Sequence, residues 1–202
     1  MPLRKYKVAG WQNRPAIVVG VTGHRVLIGE KKVRQGIDRA LNQIRAHFPD
    51  QRMVCLSSLA EGADRMVAEM VLQQPDRELF AVLPLPEGKY IRDFASDASK
   101  REFDTLLKKA RQVKVLPPAR TRKLAYLSAG TYILDQCDIL LAVWDGFETK
   151  GQGGTGEVVN LARKSRKPLA WIHAGICIEG PHQPTSLNQE QVNVSFDNFP
   201  DG

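Results

Sequence analysis

The residues best equipped for chemistry in this 202-residue chain form one stretch, Gly151-Gln152-Gly153-Gly154-Thr155-Gly156-Glu157. It follows an apolar run, Ile139-Leu140-Leu141-Ala142-Val143-Trp144, closed by Asp145-Gly146. It precedes Val158-Val159-Asn160-Leu161-Ala162-Arg163, which reads as a helix. A strand, a glycine-rich loop and a helix in that order aim unpaired backbone N–H groups and the positive end of the helix at an anion. Four glycines in six residues let the main chain approach a phosphate with no Cβ in the way. Thr155 can cap the helix or bond a phosphate oxygen. Glu157 is the odd member, because a carboxylate beside a phosphate is repelled unless it has other work. It lies two residues after Thr155, where a capping box requires three. A flexible connection, followed by a glutamate in a helix's first turn, is the plainer account of the same residues.

Further loops leave strand ends carrying unusual residues: Thr22-Gly23-His24-Arg25, Ser57 to Gly62, and Asp145-Gly146. In an open parallel sheet the ligand crevice lies beyond the carboxyl ends of the strands, so these loops would converge on one edge with the glycine-rich one. Asp145 can accept ribose hydroxyls or serve as a turn residue before Gly146. His24 and Arg25 can contact phosphate or base, or form an exposed pair. Ser57 and Ser58 offer hydroxyls to a ligand or help begin the next helix. Asp64 is favoured at a helix start on dipole grounds alone. Familiar machinery is absent: there is no G-x-G-x-x-G at the first strand, no G-x-x-x-x-G-K-[ST] and no G-x-S-x-G. Neither Cys55, Cys137 and Cys177 nor the four histidines show metal-ligand spacing, so no metal and no cofactor is expected.

The elements that must position these loops alternate. Pro15-Ala-Ile-Val-Val-Gly-Val21 is a short apolar run of the kind buried on both faces of a parallel sheet. Val33, Ile37, Ala40, Leu41, Ile44 and Phe48 then recur at helical spacing. Strands follow over 52–56, 79–83, 113–116, 139–144 and 168–173. Helices are marked by Ala63 to Val71, Phe103 to Ala110, 120–137 and Val158 to Arg163, while 87–97 forms a lid or a short helix. The alternation predicts an α/β fold: an open, mostly parallel sheet with helices on both faces. One ligand-binding domain is expected over 1–176, and a polar extension or linker over 177–202. Hydrophobic content of 43% and charged content of 25% suit a soluble globular protein, with no run of membrane-spanning length. No signal-peptide core follows Met1-Pro2-Leu3-Arg4-Lys5, and a cytoplasmic location is expected. A net charge of +7 favours phosphorylated partners, but the basic residues are scattered rather than striped.

Val19-Gly20-Val21-Thr22-Gly23-His24-Arg25, Leu56 to Asp64 (LSSLAEGAD), Cys137-Asp138 through Trp144-Asp145-Gly146, and GGTGE together resemble the SLOG superfamily. That group unites the Lonely Guy phosphoribohydrolases with the Rossmann domain of DNA-processing protein A. The resemblance spans roughly Ala16 to His173. It implies a modified Rossmann-like three-layer fold holding a nucleotide or nucleotide-derived ligand, with phosphate on Gly153, Gly154, Thr155 and Gly156. Thr22, Gly23, His24, Arg25, Ser57, Ser58, Gly62 and Asp145 complete the expected site. It also implies relatives that pair as homodimers or accompany effector modules in bacterial conflict systems, with the ligand sensed rather than consumed.

In the Lonely Guy branch the ligand is a nucleoside 5′-monophosphate, and an arginine and a glutamate help cleave its N-glycosidic bond. Carried over, the catalytic pair would be Glu157 with Arg122, or with Arg25. This chain has Val158 where a second acidic residue would stand, and Arg122-Lys123 sits at the far end of a long helix. Binding without cleavage is therefore the leading expectation, phosphoribohydrolase activity the alternative, and single-stranded DNA binding the third.

Overall fold

A computed structural model describes residues 15–74, 77–147, 154–175 and 191–199. Among these residues seven strands make one sheet: β1 Ala16–Gly23, β2 Arg52–Ser57, β3 Arg77–Leu83, β4 Gln112–Val115, β5 Ile139–Trp144, β6 Leu169–His173 and β7 Val194–Asp197. Their order is β4-β3-β2-β1-β5-β6-β7. All pairings are parallel except β6 with β7. The helices are α1 Glu30–His47, α2 Ala63–Leu72, α3 Glu87–Tyr90, α4 Asp97–Lys109, α5 Arg122–Gln136 and α6 Thr155–Lys164.

The two-residue period of a strand divides the apolar side chains between two cores. Ile17, Val19 and Val21 of β1, with Ile139, Leu141 and Val143 of β5, face a core shared with α1, α2 and α4. Val18, with Leu140, Ala142 and Trp144, faces a second core closed by Ala129 and Ile133 of α5 and by Val158, Val159 and Ala162 of α6. Helices on both faces of a mostly parallel sheet make the three layers the sequence implies. The helix starts follow local chemistry. Ser96 accepts from Ser99 N to cap α4, Thr121 accepts from Leu124 N to cap α5, and Gly29 takes a left-handed conformation before α1.

Residues 87–97 resolve into α3, a 3₁₀ turn over Ile91–Asp93 and the start of α4. A strand not foreseen in the sequence is β7, drawn from the stretch read as a polar extension. It pairs antiparallel with β6 and packs Val194 and Phe196 on the first core. Among the described residues, no helix is long and apolar enough to cross a membrane. Cys55 and Cys137 are buried free thiols.

Candidate functional site

The strand order reverses between β1 and β5, since β2, β3 and β4 follow β1 on one side while β5 lies on the other. Parting loops at such a point leave a crevice at the carboxyl ends of the strands. A cleft of ≈ 400 Å³ lies there, lined from the end of β1 by Thr22, Gly23, His24 and Arg25. The β2–α2 loop adds Ser58 and Ala60, the first turn of α2 adds Asp64, and α3 adds Tyr90. Lys123 and Tyr126 of α5 form another wall, with Gly154, Thr155 and Val158 of α6 beside them.

The loops are locked to one another before any ligand arrives. His24 N donates to Val143 O at 3.1 Å, and Ala63 N donates to His24 O at 3.1 Å. Gly62, at φ 76°, is the point of closest approach: a Cβ there would stand 2.2 Å from Arg25 O. Its lack of a side chain therefore serves the loop junction rather than a ligand. His24 Nε2 lies 3.1 Å from Asp145 Oδ1, which also accepts from Phe147 N at 3.1 Å. Asp145, only 4% exposed, holds His24 and its own turn together from behind and does not line the cleft.

Ser57 is likewise turned inward. Its hydroxyl donates to Asp64 Oδ2 at 3.1 Å and accepts from Leu59 N at 3.0 Å, while Ser58 N donates to the same Asp64 oxygen at 3.1 Å. Burial pushes the Asp64 carboxyl up to about 6, against the hydrogen bonds from Ser57 and the backbone and the charge of Arg25. Arg25 lies with its guanidinium carbon 5.0 Å above the Tyr126 ring. Burial works against its charge, but Tyr126, Tyr90 and Glu61 outweigh that and hold its pKa above the ordinary value.

Tyr90 packs its ring edgewise on Phe94 and Phe103, at 5.0 and 5.7 Å between centroids. Burial pushes its hydroxyl well above the usual phenol range, so it stays neutral. The segment carrying it is fastened at Asp93, which accepts from the Tyr126 hydroxyl and from Arg122 at 2.6 Å. Arg122 is thereby committed to the α3 segment and does not line the cleft. Glu157 and Gly156 occupy the first turn of α6 but are not among the described lining residues. Gly154 precedes that turn at φ 140°, a conformation glycine favours, and Thr155 is nearly enclosed. Gly151, Gln152 and Gly153 lie outside the described residues.

The structure thus brings Thr22, Gly23, His24, Arg25, Ser58, Gly154 and Thr155 to one cleft and puts Ser57, Gly62, Asp145 and Arg122 in its support. Tyr126 of α5 is in the wall, whereas Tyr132 of the same helix sits under Lys114 at 5.2 Å and is not in the lining. Sequence reasoning missed Tyr90 and Lys123; it placed Asp64 at a helix start, where the structure has it in the first turn of α2, but not in the cleft. The one legible signal for Asp64 was a carboxylate closing LSSLAEGAD beside two serines that could hold it. Among the described residues, no group of three His, Cys, Asp or Glu side chains could hold a metal ion.

No protein-family model matches the chain, and no curated protein sequence matches it. Two solved structures of the molybdenum cofactor carrier protein from Chlamydomonas reinhardtii are similar to it. One is 20% identical, covering 78% of this chain and 76% of that chain at a TM-score of 0.44. The other is 18% identical, covering 78% and 77% at a TM-score of 0.42. Neither likeness reaches the level at which a shared ligand follows.

Proposed function

We propose that the cleft at the β1/β5 switch point binds a nucleotide or nucleotide-derived ligand, with its phosphate against the start of α6. The observation carrying this reading is the position of Gly154 and Thr155, which open α6 in the wall of the cleft that Lys123 also lines. Amides in the first turn of a helix have no intrahelical acceptor and carry the positive end of the dipole. An anion held there meets backbone N–H groups in a cleft that Lys123 also lines. The volume of ≈ 400 Å³ falls within the range of small-molecule sites.

Thermal unfolding with a panel of AMP, ADP, ADP-ribose and cyclic nucleotides tests it. A ligand at about one hundred times its Kd adds about 2.7 kcal/mol, which in a protein of this size raises Tm by roughly 5–10 °C. A panel in which no nucleotide moves the transition ends the reading. The molybdenum cofactor, the molecule named for the two Chlamydomonas structures, belongs in the panel. Stabilisation by that cofactor and by no nucleotide replaces this reading with another ligand class.

A second reading, cleavage of the N-glycosidic bond, is favoured by one observation: a buried carboxyl, Asp64, lines the cleft with its pKa lifted to about 6. Such a group can hold a proton for a departing base near neutral pH. AMP incubated with the protein then releases free adenine. Activity lost in Asp64→Asn and kept in Glu157→Ala assigns the acid to Asp64; the reverse assigns the work to Glu157. Intact AMP after prolonged incubation leaves binding alone.

A further inference from the structure

The oddest polar group in the cleft wall is the Tyr90 hydroxyl. It is fully buried and has no hydrogen-bond partner among the described residues. A hydroxyl removed from water without a partner costs more than its simple absence, and a phenylalanine would fill the same aromatic nest without that cost. The nest itself is well made, with Phe94, Phe103 and Tyr126 around the ring. Asp93, through Tyr126 and Arg122, fixes the segment that carries it. A rigidly placed hydroxyl without a partner among the described residues, on a side chain that lines a cleft, is an arrangement that a ligand completes.

Its surroundings indicate what kind of ligand. Asp64 and Arg25, both lining the cleft, act on the Tyr90 hydroxyl electrostatically. Together they offer a fixed donor fork, a carboxyl and a hydroxyl that can donate or accept. The adjoining walls are apolar or flat: Val21, Ile133, Val158, and Arg25 over the Tyr126 ring. Flat and apolar surfaces with a few polar groups among them match the face and edge of a planar heterocycle better than a puckered sugar, and a guanidinium held over one ring readily stacks on another.

We propose that Tyr90, Asp64 and Arg25 form a base-reading subsite, in which the Tyr90 hydroxyl bonds the hydrogen-bonding edge of a planar heterocycle whose phosphate sits at the start of α6. This rests on the reading of the cleft as a nucleotide-type site and adds which residues select the ring. Tyr90 acts as a specificity residue, and the wild type prefers a nucleotide over the same sugar phosphate without its base.

Calorimetric titration of wild type, Tyr90→Phe and Arg25→Lys with AMP, ribose 5-phosphate and inorganic phosphate tests it, together with the Tm of each unliganded protein. The expected result is that wild type binds AMP at least tenfold more tightly than ribose 5-phosphate. Tyr90→Phe then loses about 3- to 10-fold for AMP while keeping its ribose 5-phosphate affinity, and its unliganded Tm is equal or higher. Arg25→Lys, which keeps the charge but not the plane, weakens AMP more than ribose 5-phosphate. A wild type that binds AMP and ribose 5-phosphate equally overturns the subsite and leaves the phosphate site standing. Unchanged AMP binding in Tyr90→Phe, or an equal loss for both ligands with a lowered Tm, overturns it too. A wild type that binds none of the three overturns this subsite, and if the wider nucleotide panel is silent as well the underlying reading goes with it.

Discussion

The Asp64 carboxyl is enclosed and hydrogen-bonded to Ser57 and Ser58, yet burial prevails and its pKa moves from 3.8 to about 6. The sign of the consequence follows from linkage. A carboxyl with a raised folded pKa binds more protons in the native state than in the unfolded chain between those two values, so stability falls as pH rises through them. The contribution is fully present below about pH 4 and gone above about pH 6. A displacement of about two units corresponds to roughly 3 kcal/mol. Asp138 is also raised by burial and slopes the same way, so only a difference isolates Asp64. Urea unfolding of wild type and Asp64→Asn at pH 4, 5, 6 and 7 should show the variant gaining relative to wild type across that window. Parallel curves would mean that the hydrogen bonds already hold the carboxylate at its ordinary pKa. The same residue illustrates a limit of sequence reading. Its position in the first turn of α2 was visible, but the cleft it shares with Tyr90 and Arg25 was not, because those two arrive from elsewhere in the chain.

Helix α5 meets α6 and the sheet through two glycines, and their packing gives a prediction about elements. A Cβ on Gly130 would stand 2.6 Å from Val158 Cγ2, and one on Gly20 would stand 2.7 Å from Ile133 Cγ2. Gly130 and Val158 both line the cleft, so this contact sets the spacing of the two helices there. Alanine at Gly130 gains about 0.5–1 kcal/mol of helix preference but overpacks a branched side chain, which costs about 1–3 kcal/mol. Gly130→Ala should therefore destabilise the wild type. In a Val158→Ala background, where the obstructing methyl is gone, the same change should be neutral or stabilising. A double-mutant cycle with no coupling would show that the helices move apart freely. The strands and long helices were legible in the sequence because their burial is written as period: Ile17, Val19 and Val21 against Val18, and Val33, Ile37, Ala40 and Ile44 along α1. Helix α3 was legible only as a lid or a short helix over 87–97, because four residues carry no period; the segment is held by Asp93 bonding Tyr126 and Arg122.

At the scale of the whole molecule, the sheet has one edge that the chain covers with its own later residues. Without β7, strand β6 would present its backbone N–H and C=O groups to solvent, an open template for another chain. β7 meets it antiparallel from Leu169↔Asp197 to Ile172↔Val194. The return is anchored by Arg39 to Val192 O at 2.7 Å, by Gln191 Oε1 accepting from Gly175 N at 2.9 Å, and by Arg163 to Asp197 at 3.0 Å. Phe196 and Phe199 meet edgewise at 4.8 Å and pack on the first core. In the sequence only Val194 and Phe196 alternated among polar residues, too few to mark a strand whose stability comes from a partner more than 20 residues earlier. None of these residues lines the cleft, so stability and ligand binding should separate. Phe196→Ala should lower unfolding stability by about 1–3 kcal/mol, below the cost of a fully buried phenylalanine because this one is part-exposed, with AMP affinity unchanged. Removal of residues 191–202 should go further, giving oligomers by size exclusion as copies of β6 pair across molecules. A truncated chain that stays monomeric and unfolds at the wild-type temperature would show that β7 is an ornament on the sheet, whereas a loss of AMP binding in Phe196→Ala would place the cleft and this edge in one cooperative unit.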